Sequence, residues 1–216
     1  MKKNSYSQIF KCILISAVIV FAITSCQKER MEVSSPGTEI LNSSLSKIAD
    51  SKKSTRSYKD EYATWYTVLV PFFYNGAAGV SLPGSGDGHS THIGTSKIYF
   101  NQLVPFDQSP TLPIPVNLYF PDLDVPASVM VDGQLRILNS IILDEKKNNS
   151  IWFSLIVGSS IQQPISETRV EFTGETDIVG GTGKFTGATG HTTLSGYFNP
   201  TDTADANVSQ QGWIRY

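Results

Sequence analysis

Apolar and polar residues alternate along much of the chain after about residue 58. The run SETRVEFTGETDIV, from Ser166, sets Val170 and Phe172 against Arg169 and Glu171, the pattern of a strand with one buried face. SIWFSLIVGS, from Ser150, is apolar on both alternating faces: Ile151, Phe153, Leu155 and Val157 on one, Trp152 and Ile156 on the other. EYATWYTVLVPFF, residues 61–73, behaves likewise and predicts a strand covered on both sides. HSTHIGTSKIYFNQ, from His89, predicts another strand. SVMVDGQLRILNSIILD, from Ser128, predicts a hairpin or bend at Asp132-Gly133. KFTGATGHTTLSGYF, from Lys184, and NVSQQGWIRY, from Asn207, complete the set. No long segment keeps a helical period. The expectation is an all-β domain over 58–216, its antiparallel sheet closed into a barrel or folded into a sandwich.

Two segments interrupt the alternation. VPFDQSPTLPIPVNLYFPDLDVPA, residues 104–127, carries six prolines. It cannot lie in a central strand and is expected to form a long loop over one end of the barrel. DIVGGTGKFTGATGHTTLSG, residues 177–196, is dense in glycine. Gly180-Gly181 reads as a turn between strand-like runs, and Gly187, Gly190 and Gly196 read as bends or close approaches within a strand. Gly183 belongs to the same set of turn and bend glycines.

A lysine among glycines raises the question of a phosphate cradle. A Walker A loop needs G-x-x-x-x-G-K-[ST]. Here Gly183-Lys184 is followed by Phe185, and Ile178 occupies the first glycine's place. A dinucleotide fingerprint fails as well, because Thr186 stands at its third glycine. The glycines therefore read as conformational.

The first 57 residues have another character. Lys2, Lys3 and Lys11 are basic, and CILISAVIVFAI, residues 12–23, is unbroken apolar sequence. That run is too short to span a bilayer and fits the core of a signal peptide. It ends in Ile23-Thr24-Ser25-Cys26, which resembles the bacterial lipobox. The resemblance implies cleavage before Cys26 and acylation of that residue, a firm anchor once two or three chains are attached. Residues 26–57 are rich in Ser and Lys and poor in large apolar residues, and read as a flexible tether. Position 27 is not aspartate, so the inner-membrane retention signal of some Gram-negative lipoproteins is absent. Gln27-Lys28-Glu29 partly resembles the start of a surface-export signal of Bacteroidetes-type lipoproteins. The expected location is the Gram-negative cell envelope, at the outer membrane, with the periplasmic and surface faces both open.

Charge and cysteine count narrow the function classes. Loss of Lys2, Lys3 and Lys11 with the signal peptide leaves 14 basic against 19 acidic residues, a formal charge of −5. Nucleic-acid binding needs a basic surface, so no nucleic-acid partner is expected. Cys12 leaves too, so Cys26 is the one remaining cysteine. No disulfide, zinc-thiolate cluster or cysteine nucleophile is expected, and no cofactor or metal.

Three segments carry a family resemblance. Residues 178–185, Ile-Val-Gly-Gly-Thr-Gly-Lys-Phe, resemble the V-G-G-T-G-x-F segment of plant dirigent proteins. Gly187-Ala188-Thr189-Gly190 extends the match toward a signature of secreted bacterial proteins related to the allene oxide cyclase and dirigent barrel. Gly88 to Gly94 resembles their early G-x-x-T-H-[LI]-G segment, and Gly212 to Tyr216 their closing G-x-I-x-Y strand. The resemblance implies an eight-stranded antiparallel barrel. It transfers no catalytic residue, because the plant members' acidic, arginine and tyrosine positions have no match here. Leu143 to Lys147 and the insertion at 104–127 also depart from the pattern.

Remaining chemistry is sparse. His89 and His92, three apart, would point to opposite faces of a strand. Asp122/Asp124 and Glu171/Glu175 lack the spacing of a glycosidase pair. Trp65, Tyr66, Trp152, Tyr197, Trp213 and Tyr216 could form a sugar-stacking platform, with ordinary core packing as the alternative. His92, Tyr99, Arg136 and Trp213 are the candidate ligand contacts. The leading expectation is a non-catalytic envelope lipoprotein whose barrel binds a small apolar or amphipathic ligand or a glycan. A cyclase or isomerase using the lumen, and a structural module of the surface, are the alternatives. The two apolar faces of residues 150–158 demand a second cover, from the 104–127 insertion or from another copy in a homo-oligomer such as the trimer of the plant relatives.

Overall fold

The computed structural model describes residues 54–216 apart from 108 and 147. The signal peptide, Cys26 and most of the tether lie outside the described residues.

The strands, in chain order, are β1 (Thr55–Tyr66), β2 (Leu69–Tyr74), β3 (Ala77–Ser81), β4 (Gly84–Ser90), β5 (Gly94–Phe100), β6 (Gln102–Pro105), β7 (Leu112–Pro113), β8 (Ser128–Val131), β9 (Gln134–Ile137), β10 (Ser140–Asp144), β11 (Ser150–Leu155), β12 (Ile161–Ser166), β13 (Arg169–Thr182), β14 (Thr189–Asn199) and β15 (Asp202–Arg215). Eight of them pair in the order β11-β10-β5-β4-β1-β15-β14-β13, and β13 pairs back onto β11. That last ladder closes an antiparallel barrel and removes its edges. β12 pairs with the first part of β13. β2, β3, β6 and β7 form a small second sheet.

Alternation decides what fills the lumen. On β1, Tyr58, Asp60, Tyr62, Thr64 and Tyr66 are buried while the residues between them are exposed. Opposite Tyr62, Thr64 and Tyr66, β4 offers only Gly88, Gly86 and Gly84. A Cβ at Gly88 would collide with the Tyr62 ring and the Glu61 carbonyl. The glycines thus make room for β1's large side chains. Ile98, Ile142, Ile151, Phe153, Ile178, Val208 and Ile214 complete the inner core with Tyr58 and Tyr62. A 3-10 turn at Gly183–Phe185 closes one end. Its Phe185 is fully buried and packs 4.7 Å from the Tyr216 ring.

Several expectations are corrected. Residues 61–73 are not one two-sided strand; β1 ends at Tyr66 and buries one face only. The segment from His89 contains a turn at residues 91–93, so β4 and β5 are separate strands. Gly180-Gly181 is not a turn. Both lie in β13, where Trp152 pairs with Gly180 and Phe153 with Ile178. Val179 is the extra residue of a bulge, and Gly180 takes the unusual φ of +155°. The chain turns instead between Gly183 (φ +60°) and Gly187 (φ +67°). Gly187 therefore lies in that turn, before β14, and not within a strand. Gly190 is inside β14, where a Cβ would strike the Trp213 carbonyl.

The proline-rich segment does not cap an end. It runs along the outside of the wall. Val116, Phe120, Leu123 and Val125 pack there with Tyr99, Ile141, Leu143, Trp152 and Val179. The outer apolar face of β11 is thereby covered from within the chain, and does not by itself call for a second subunit.

Candidate functional site

The open end of the barrel holds a narrow well of about 60 Å³. Its walls are Leu82, Phe100, Leu155, Phe172, Leu194 and Phe198, with Tyr66 at the rim. Tyr66 is fixed there by donating to the Asn199 carbonyl at the end of β14, at 2.7 Å. The space suits a few waters or the slender end of an apolar molecule. Gln210 and Thr176 also line it. They belong to one buried network: Thr176 and Thr192 hydroxyls lie 2.6 Å apart, and both reach Gln210 Oε1, at 3.0 and 2.9 Å.

One polar atom on the wall stands out. Ser140, 8% exposed, has a buried hydroxyl with no hydrogen-bond partner in the protein. It sits on β10 opposite Phe100 and Phe153. A buried hydroxyl without a partner costs about 1–3 kcal/mol, and a water or ligand in the well would remove that cost.

Below the well is a sealed acidic cluster. Asp60 is 1% exposed. Its carboxyl accepts the Tyr58 hydroxyl at 2.6 Å and the Gln210 N–H at 2.8 Å. Ser90 donates to Tyr58 at 3.3 Å, and Tyr62 and Ser96 hydroxyls share a 2.7 Å bond. Burial pushes the Asp60 carboxyl up to about 7, against the pull of those two hydrogen bonds. Burial, with Asp60 nearby, also raises the Tyr58 and Tyr62 phenols. Asp60 is not among the residues lining the well.

The four candidate ligand contacts lie elsewhere. His92 Nε2 is 2.7 Å from the Ser57 carbonyl, and its ring meets Tyr216 at the closed end. Tyr99 packs edge-on against Phe120 beneath the proline-rich segment. Arg136, on β9, reaches Asp177 at 3.5 Å, and Asp177 also meets His191 at 3.2 Å. Trp213 is an exterior residue of β15 opposite that histidine. None of the four lines the well. The aromatic platform does not form either. Tyr66 faces inward and Trp152 is covered. Trp65 sits eight residues along β1 from Ser57, the partner of Trp213, or about 26 Å away. Lys184 donates to the His92 carbonyl at 2.7 Å, which ties two turns together at the closed end.

Sequence reasoning missed Asp60, Ser140 and Gln210. Asp60 had a signal: in Tyr58-Lys59-Asp60-Glu61-Tyr62 it shares the parity of two tyrosines. Ser140 and Gln210 had none, because a lone polar residue in a strand looks the same on either face.

No family model matches the chain, and no curated protein is detectably similar to it. Among solved structures, the pterocarpan synthase dirigent protein GePTS1 matches 89% of this chain and 99% of its own, at 11% identity and a TM-score of 0.42. The barrel assignment rests on the closed strand order alone, which gives the all-β antiparallel barrel of eight strands that the sequence led us to expect.

Proposed function

We propose that this chain is an envelope lipoprotein whose barrel binds a small apolar or amphipathic ligand at its open end without transforming it. The observation that carries the reading is the well itself: mostly apolar walls, with the unpartnered Ser140 hydroxyl buried in them. The titratable residues in its lining are engaged elsewhere, Tyr66 donating to the Asn199 carbonyl and Tyr197 to Asp205, and Asp60 lies beneath it bonded to Tyr58 and the Gln210 N–H. The cyclase-type alternative draws on one observation, the raised Asp60 carboxyl, which holds a proton near neutrality. That acid would have to reach a substrate past Gln210.

Binding is tested by titrating a slender apolar probe, a linear alkyl chain with a fluorescent dye at its far end. Leu194→Trp should fill the well and abolish saturable binding while leaving the fold intact. Ser140→Ala should weaken a hydroxyl-bearing probe about three- to tenfold. Equal affinity of the parent and Leu194→Trp chains would sink the reading.

The lipoprotein half rests on Ile23-Thr24-Ser25-Cys26. Cells fed an alkyne-labelled fatty acid should label the parent chain and not Cys26→Ser. An unlabelled mature parent refutes acylation without touching the well.

A further inference from the structure

The barrel wall does not stop at the mouth. β4 and β5 pair Gly84 with Phe100, and β3 and β6 continue in the same register, Ser81 with Leu103, Val80 with Val104 and Gly79 with Pro105. Leu82 N–H donates to the Gln102 carbonyl between them, at 2.9 Å. The side facing the lumen at Gly84 and Phe100 therefore runs outward through Leu82 and Gln102, Val80 and Val104, then Ala78 and Phe106. Phe73 on β2 joins the row opposite Ala78. The reverse side, with Gly79, Ser81, Leu103 and Pro105, is buried. The outward row emerges with distance from the mouth: Leu82 is buried, Val80 and Val104 are partly buried, and exposure reaches 44% at Phe106 and 72% at Phe73, with Val68 and Val70 also exposed.

We infer that this projecting ribbon is a membrane-docking lip that inserts its apolar side into a lipid bilayer surface. Three observations point to lipid. Residues 62–86 contain no charged residue, and residues 98–121 contain only Asp107. The exposed groups sit on a narrow ribbon next to the Asn75-Gly76 turn, a shape that enters a headgroup layer more readily than it matches a second copy. Twenty-seven residues separate Cys26 from Ser54; a random chain of that length would span about 30 Å, so on the proposed acylation of Cys26 the lip lies within reach of a bilayer. Across the mouth, the start of β15 carries Asp202 and Asp205, which disfavours an anionic surface and favours a zwitterionic one.

The test uses the mature chain from residue 26 with Cys26→Ser, so that no acyl chain contributes. It should cosediment with phosphatidylcholine vesicles, and less with vesicles rich in phosphatidylglycerol. Phe73→Asp with Phe106→Asp should weaken that partition about 100-fold, roughly tenfold for each ring, with an unchanged melting temperature because both rings are exposed. Phe73→Trp should be quenched by brominated phosphatidylcholine, reporting insertion directly. A parent chain that stays in the supernatant overturns the inference. So does equal binding by the double variant, or a parent oligomer that the double variant dissociates without any vesicle binding. The dye titration of the well does not depend on any of these outcomes.

Discussion

Replacing Gly183 with valine is expected to cost about 4 kcal/mol or more, most of the margin of an ordinary domain. Gly183 holds φ +60°, a conformation that costs an L residue about 1–2 kcal/mol and a β-branched one more. A Cβ there would also collide with the Asn149 side-chain oxygen and the Asn148 carbonyl. Asn149 is not free to move. Its Oδ1 accepts the Lys184 N–H at 3.1 Å, and its Nδ2 donates to Asp144 at 2.7 Å. Displacing it breaks the bracket between the β10–β11 turn and the Gly183–Phe185 turn that seats Phe185 in the closed end. Gly76→Ala separates the two causes. Gly76 has φ +81° but nothing within 4 Å of its missing Cβ, so only the conformational part, about 1 kcal/mol, should appear. Urea midpoints followed by circular dichroism make the comparison. Equal losses at the two positions would mean that the Asn149 bracket contributes nothing.

The same glycines show where the sequence was legible and where it was not. β11 and β13 announce themselves, β11 by apolar residues on both faces and β13 by Val170 and Phe172 set against Arg169 and Glu171. β4 does not, because Gly-Ser-Gly-Asp-Gly fills its inner face with hydrogen atoms. Its strand identity comes from the tyrosines of β1 that need the space, a tertiary cause no local pattern contains. Gly180-Gly181 misled for the complementary reason. Two glycines usually mean a turn, but here they let β13 bulge so that Val179 points out under the proline-rich segment while Ile178 points in. That segment's prolines correctly excluded a central strand. Its apolar residues, Val116, Phe120, Leu123 and Val125, gave no direction, and they chose the wall because Tyr99, Ile141 and Trp152 already needed a cover there. The site was the least legible part. The candidate contacts were chosen by side-chain type, whereas the well is defined by which ordinary Leu, Phe and Ser residues share the inner face at the open end.

Asp60 should make the barrel less stable as pH rises from 4 to 8, and Asp60→Asn should abolish that dependence. An ordinary aspartate ionises near 4. Burial holds this one protonated up to about 7 in the folded chain. Between those values the native state keeps a proton that the unfolded state has released, so unfolding becomes more favourable with each unit of pH. The contribution is present in full below about 4 and is lost as pH climbs through about 7. Three units correspond to about 4 kcal/mol. Asparagine keeps the shape and removes the charge. Its oxygen can accept the Gln210 N–H, and its nitrogen can donate to the Tyr58 oxygen, which has a lone pair to offer. At pH 8 the variant should therefore equal or exceed the parent in stability, while at pH 4.5 the parent should equal or exceed the variant. Every other ionisable group is common to both chains and cancels in the difference. Urea midpoints at pH 4.5, 6 and 8 for the pair give the result. Parallel profiles would show that Asp60 ionises normally, through water reaching the carboxyl from the well, and would put that acid within range of whatever the well holds.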